Sequence, residues 1–194
     1  MKLPFRSVSA GVLSLTLAFL FTSSKARATD EIVYYCAITS SSPFTAPTSG
    51  TVLVSCPTAI PANTIQAGDT FEWELEGEEN APINFGGGTT GYKFYLSSTD
   101  MVGTACKATI PNNSQVWDFT YRGWDTVGTN GSSATSISAY ECLMIVNGTP
   151  TPFHSDDNPG FDTTVALTPK VVAAVNFPSG LKTQVFTFIV KLIR

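Results

Sequence analysis

A chain of 194 residues carries one histidine, His154. That scarcity leaves a nucleophile–histidine–acid triad with a single candidate base and leaves a histidine-built metal centre without enough ligands. No Ser sits in a G-x-S-x-G elbow, and no Cys-x-x-Cys pair occurs. The glycines at Gly86, Gly87 and Gly88 lack the Lys-Ser/Thr tail of a phosphate-binding loop, so they read as a turn or bulge. Charge is thin as well: 13% of residues are charged, with eleven Lys and Arg against fifteen Asp and Glu. An acidic, lightly charged chain is a poor match for nucleic acid or for an anionic membrane surface. These absences predict a protein that is not an enzyme and that needs no cofactor or metal.

Long apolar runs are also missing. The longest, Gly11 to Phe21, falls short of the roughly 20 residues that span a bilayer. It follows Lys2 and Arg6 and precedes Ala26-Arg27-Ala28, the order of a secretory signal peptide with a small-x-small cleavage site. The reading is therefore a signal over residues 1–28 and one domain over 29–194, secreted or carried to the cell surface through the periplasm. No membrane span is expected in the mature chain. Four of the eleven basic residues lie in the signal, so the mature charge is more negative than the whole chain's −4.

The four cysteines, Cys36, Cys56, Cys106 and Cys142, all follow the signal. In an oxidising compartment an even count favours disulfides. Three connectivities are possible. Cys36–Cys56 with Cys106–Cys142 is favoured because short loops close at low entropic cost.

What is present in quantity is the β-strand pattern. Asp69 to Glu76 alternates cleanly, with Phe71, Trp73 and Leu75 on one face and Glu72, Glu74 and Glu76 on the other, followed by a turn at Gly77 to Asn80. Further strands are read at Glu31–Ile38, Thr51–Cys56, Gly91–Ser97, Thr104–Ile110, Gln115–Tyr121, Ile137–Val146, Thr164–Thr168 and Val171–Phe177, with a Pro-broken loop from Thr149 to Gly160. The last segment, Thr183 to Arg194, is rich in β-branched and aromatic residues and has no Gly or Pro. Its Phe186, Phe188, Val190 and Leu192 fall on one face and Val185, Thr187, Ile189, Lys191 and Ile193 on the other. Regular turn punctuation among short strands, with no amphipathic helix, predicts an all-β, immunoglobulin-like β-sandwich of about nine short strands.

Two groups are candidates for binding. Tyr121 and Trp124 would form a flat platform for a sugar ring, against the plain alternative of core packing. Asp156, Asp157 and Asp162, with Asn158, are oxygen ligands of the kind calcium takes, without the spacing of an EF-hand loop. Three glutamates on the strand at 69–76 read as a solvated outer face.

The signal peptide, the early Cys36 and Cys56, the length and the strand from Val185 to Ile193 together resemble a subunit of chaperone–usher fimbriae. The resemblance implies a surface-assembled structural or adhesive subunit. Its partners would be a periplasmic chaperone and neighbouring fimbrial subunits, joined by adding a strand to an open edge. Val185, Phe186, Phe188, Val190 and Leu192 would be the strand-exchange edge. Only Thr29 to Tyr35 precede Cys36, which in that family points to a tip or adhesive subunit. The rival expectation is a self-contained secreted sandwich that binds carbohydrate or calcium.

Overall fold

The computed structural model describes residues 30–39, 42–82, 84–102, 105–110, 112, 116–146, 149–157 and 159–194. Within them, the side chains of 116, 138, 140–142, 144–146 and 149–157 lie outside the description. The segment read as an export signal falls outside the described residues. Among those residues there is no helix, and the strands are β1 (Ile32–Ile38), β2 (Phe44–Thr45), β3 (Val52–Ser55), β4 (Thr70–Asn80), β5 (Gly88–Leu96), β6 (Thr99–Asp100), β7 (Cys106–Ile110), β8 (Val116–Thr129), β9 (Ala134–Val146), β10 (Thr149–Asp157), β11 (Gly160–Phe161), β12 (Pro169–Ala173) and β13 (Lys182–Ile193).

They form two antiparallel sheets. The larger, of eight strands, runs β1-β13-β4-β8-β9-β10, with β2 also on β13 and β11 also on β9. The smaller, of five, runs β3-β12-β5-β6, with β7 also on β5. The all-β sandwich read from the sequence is what the chain adopts.

The core is made by the inward parity of each strand. Phe71, Trp73 and Leu75 from β4, Phe119 and Tyr121 from β8, and Phe188, Val190 and Leu192 from β13 face Tyr92, Phe94 and Leu96 of β5, all buried. Rings lock the sheets together: Trp73 stacks on Phe94 at 4.5 Å between centroids, and Tyr92 stacks on Phe119 at 4.5 Å. Such a pair adds about 0.5–1.5 kcal/mol beyond its buried area. Cys36 is bonded to Cys56. Cys36 lies in β1 of the larger sheet and Cys56 directly follows β3 of the smaller, so the bridge ties the layers together. Cys106 is also disulfide-bonded. The side chain of its expected partner, Cys142, is outside the description.

Several sequence expectations need correction. Gly77 to Asn80 continues β4 instead of turning. A Cβ on Gly77 would lie 2.3 Å from the Gln184 carbonyl oxygen and 2.5 Å from Phe119 Cζ, so glycine is required there for close packing. The segment 149–157, read as a loop because of Pro150 and Pro152, is the edge strand β10, paired only with β9. An edge strand tolerates proline because its outward N–H positions have no ladder partner to lose. The segment 164–168 is a turn held by one bridge, Ile60 to Leu167, and not a strand. The strands number more than nine, and β8 and β9 are long, at 14 and 13 residues.

The terminal strand, read as a strand-exchange edge, lies inside the larger sheet. β13 is hydrogen-bonded to β4 along one side and to β1 and β2 along the other. Val185, Phe188, Val190 and Leu192 are core residues. Phe186 is 40% exposed, because a bulge between Val185 and Thr187 puts it outside the register and shifts the strand's alternation. The chain's end is clamped beyond the strand: the Arg194 guanidinium donates to both oxygens of buried Asp69 at 3.0 Å, and to the Thr64 carbonyl at 2.8 Å.

Candidate functional site

The outer face of the larger sheet carries the residues that the core parity rejects. Antiparallel pairing sets them in rows across the strands. One row runs Tyr35, Lys191, Glu72, Trp124, Ala139; the next runs Ala37, Ile189, Glu74, Arg122. Opposed residues on one face of a sheet lie about 4.5–5.5 Å apart at Cβ, so each row is a continuous strip of side chains.

These rows floor a groove of about 520 Å³, lined by Thr70, Glu72, Glu74, Arg122, Trp124, Ile189 and Lys191, with Gly123 and Trp73 beneath. A smaller hollow of about 210 Å³, lined by Glu74, Glu76, Thr120, Arg122 and Leu143, continues it along β4 and β8. Trp124 is 46% exposed, a high value for the largest apolar side chain. Lys191 Nζ lies 3.8 Å from Glu72 Oε2, with both groups partly solvated. Such an exposed pair is worth at most about 1 kcal/mol, so its polar atoms are cheaply redirected to a ligand. The groove therefore offers a flat ring beside carboxylate acceptors and cationic donors.

The structure separates the residues proposed from sequence. Trp124 is outward in β8. Tyr121 is fully buried and packs edge-on against Trp73 at 6.4 Å, so it takes no part in a surface platform. Three residues apart on one strand is odd parity, which sends the two rings to opposite faces. Asp162 is partly exposed and its Oδ1 accepts from the Thr164 N–H at 2.8 Å and from the Thr164 hydroxyl at 2.6 Å, which holds its pKa below the usual carboxylate value. That carboxylate is engaged in its own turn. Asp156 and Asp157 lie on β10, with Asp156 in backbone register with Ala139 and hence in line with Trp124; their side chains are outside the description, as is Asn158. Among the described residues no group of three acidic, His or Cys side chains is gathered for a metal.

Sequence reasoning missed Arg122, Lys191 and Glu72 as a group. The signal was the outward parity of three strands, but it becomes a site only when pairing order sets β13, β4 and β8 side by side. It also missed Glu79, which is fully buried between the sheets and accepts a hydrogen bond from the Tyr92 hydroxyl. Thr183 Oγ1 lies 3.2 Å from that same hydroxyl. Burial pushes the Glu79 carboxyl up to about 7, against the opposing pull of Tyr92, Trp117 and Thr90. Trp117 Nε1 approaches without reaching full hydrogen-bond geometry. Burial, and then the Glu79 charge, raise the Tyr92 phenol well above its ordinary value. This cluster is sealed in the core, on the face of β4 opposite the groove.

No family model matches the chain, and no curated protein matches it either. Among solved structures, it is similar to the CBM2 module of the evolved Dit of Lactobacillus casei BL23 phage J-1, at 7% identity over 70% of this chain and 67% of that one, with a TM-score of 0.28. At that score the likeness bears on neither fold nor function.

Proposed function

We propose that this chain is an exported, non-catalytic β-sandwich module that binds carbohydrate on the outer face of its larger sheet, with Trp124 as the stacking ring. The observation that carries the reading is the 46% exposed Trp124 set in a groove of about 520 Å³ among Glu72, Glu74, Arg122 and Lys191. A sugar presents apolar C–H faces and a rim of hydroxyls that both donate and accept. A flat apolar ring meets the first, and side chains of both signs meet the second. The Cys36–Cys56 bond fits an oxidising compartment.

Hydrolysis of the bound sugar is not part of the proposal. A glycosidase needs one carboxylic acid held protonated by its surroundings beside a second, ionised one. Glu72 is solvated and paired with Lys191, and the carboxyl with the raised pKa, Glu79, is sealed on the far side of the sheet. Assembly into a surface fibre with a chaperone and neighbouring subunits would call for an open groove beside β13. β1 and β4 fill that position, so the groove at Trp124 favours the sugar-binding reading.

The test is retention of the secreted chain on a panel of insoluble and gel-embedded polysaccharides. At least one should retard the wild type, and Trp124→Ala should weaken retention at least tenfold, about 1.4 kcal/mol, without lowering thermal stability. Equal retention of wild type and Trp124→Ala on every polysaccharide would overturn the reading.

A further inference from the structure

We propose that Tyr35 is a second stacking position, so that the groove takes an oligosaccharide of three or more units laid across the strands from Trp124 to Tyr35. The proposal rests on the carbohydrate-binding reading above and adds the direction and minimum length of the ligand.

Tyr35 is 56% exposed, and its chain neighbours Tyr34 and Cys36 are both buried, so its ring is on the outer face. It is in register with Lys191, which is in register with Glu72, which is in register with Trp124. The two exposed rings thus share one row, three inter-strand spacings or roughly 14 Å apart, the span of about a trisaccharide. Between them lie Lys191 and Glu72, a donor and an acceptor for the hydroxyls of a middle unit.

Tyr35 is also held in place, although β1 is an edge strand. The Tyr34 hydroxyl donates to the Thr58 carbonyl at 2.7 Å on one side of it, and the Cys36–Cys56 bond anchors the other. Pairing with β13 fixes the backbone between them. A backbone fixed before binding leaves only the side-chain rotamer to be ordered on contact, which favours its use as a platform.

The experiment is calorimetric titration with ladders of gluco-, xylo-, manno- and chito-oligosaccharides from one to six units, followed on whichever ladder binds. Wild-type affinity should rise at least tenfold between two and four units. Tyr35→Ala should abolish that rise and leave the affinity for one or two units unchanged; Tyr35→Phe should retain it. Trp124→Ala should weaken every length. If Tyr35→Ala keeps the length dependence while Trp124→Ala loses binding, the second position is wrong and the sugar-binding reading stands. If no ladder binds the wild type, or if sedimentation shows a dimer that Tyr35→Ala dissolves, the second position is overturned.

Discussion

Strand β4 carries glutamate on both faces of one sheet, and the two faces put it to different uses. Glu72 and Glu74 point outward into a solvated groove, where Glu72 sits near Lys191 and beside Trp124. Glu79, a few residues along, points inward, is fully buried, and has its carboxyl pushed up to about 7. One residue type on one strand serves as a polar wall in one case and as a buried hydrogen-bond acceptor in the other. Parity alone decides which, because burial penalises only the charged form.

The contrast is sharpest at Gly77, which shares the inward parity. Gly77→Ala forces a methyl onto the Gln184 carbonyl and the Phe119 ring, and neither the β13 backbone nor a packed ring can yield freely. We expect a loss of about 3 kcal/mol, at the upper end of overpacking costs, read as a drop in the urea midpoint with unchanged slope. A loss below 0.5 kcal/mol would mean that this contact is not present in solution.

Next in size is a pH effect confined to the inner face. The Glu79 pKa is higher folded, about 7, than its ordinary 4.5, so between those values the folded chain holds a proton that the unfolded chain releases. The stability this group contributes is fully present below about pH 4.5 and is lost as pH rises through about 7, a change of roughly 3 kcal/mol. Glu79→Gln cannot titrate, so the wild type should lose stability relative to this variant across that window. Parallel curves for the two proteins would contradict the assignment. The smallest effect belongs to the outer face: Glu72→Gln should leave stability within about 0.5 kcal/mol at any pH, since its ion pair is exposed.

The same division explains what could be read in advance. Phe71, Trp73 and Leu75 against Glu72, Glu74 and Glu76 were legible because period-two alternation is local. So was the Cys36–Cys56 pairing, whose loop is short, and the strand character of the last twelve residues. The bulge at Phe186 was not, because it is a mismatch of register with a neighbouring strand, β4, more than a hundred residues away in sequence at Glu76 and Gly77. β10 was hidden because whether a proline breaks a strand depends on whether that strand lies at an edge, a property of the whole sheet. Tyr121 and Trp124 were paired despite an odd separation, an error that parity itself exposes. The row from Tyr35 to Trp124 joins four strands distant in sequence, and only their spatial order brings it together.

The most direct test of the account is a calorimetric titration of the wild type and Trp124→Ala with a soluble glycan that the wild type retains, each protein checked by its thermal melt. The outer-face account predicts wild-type binding that falls at least tenfold in the variant, with melting temperatures that coincide. Undiminished binding by Trp124→Ala, with the same stoichiometry, would place the sugar elsewhere and contradict it.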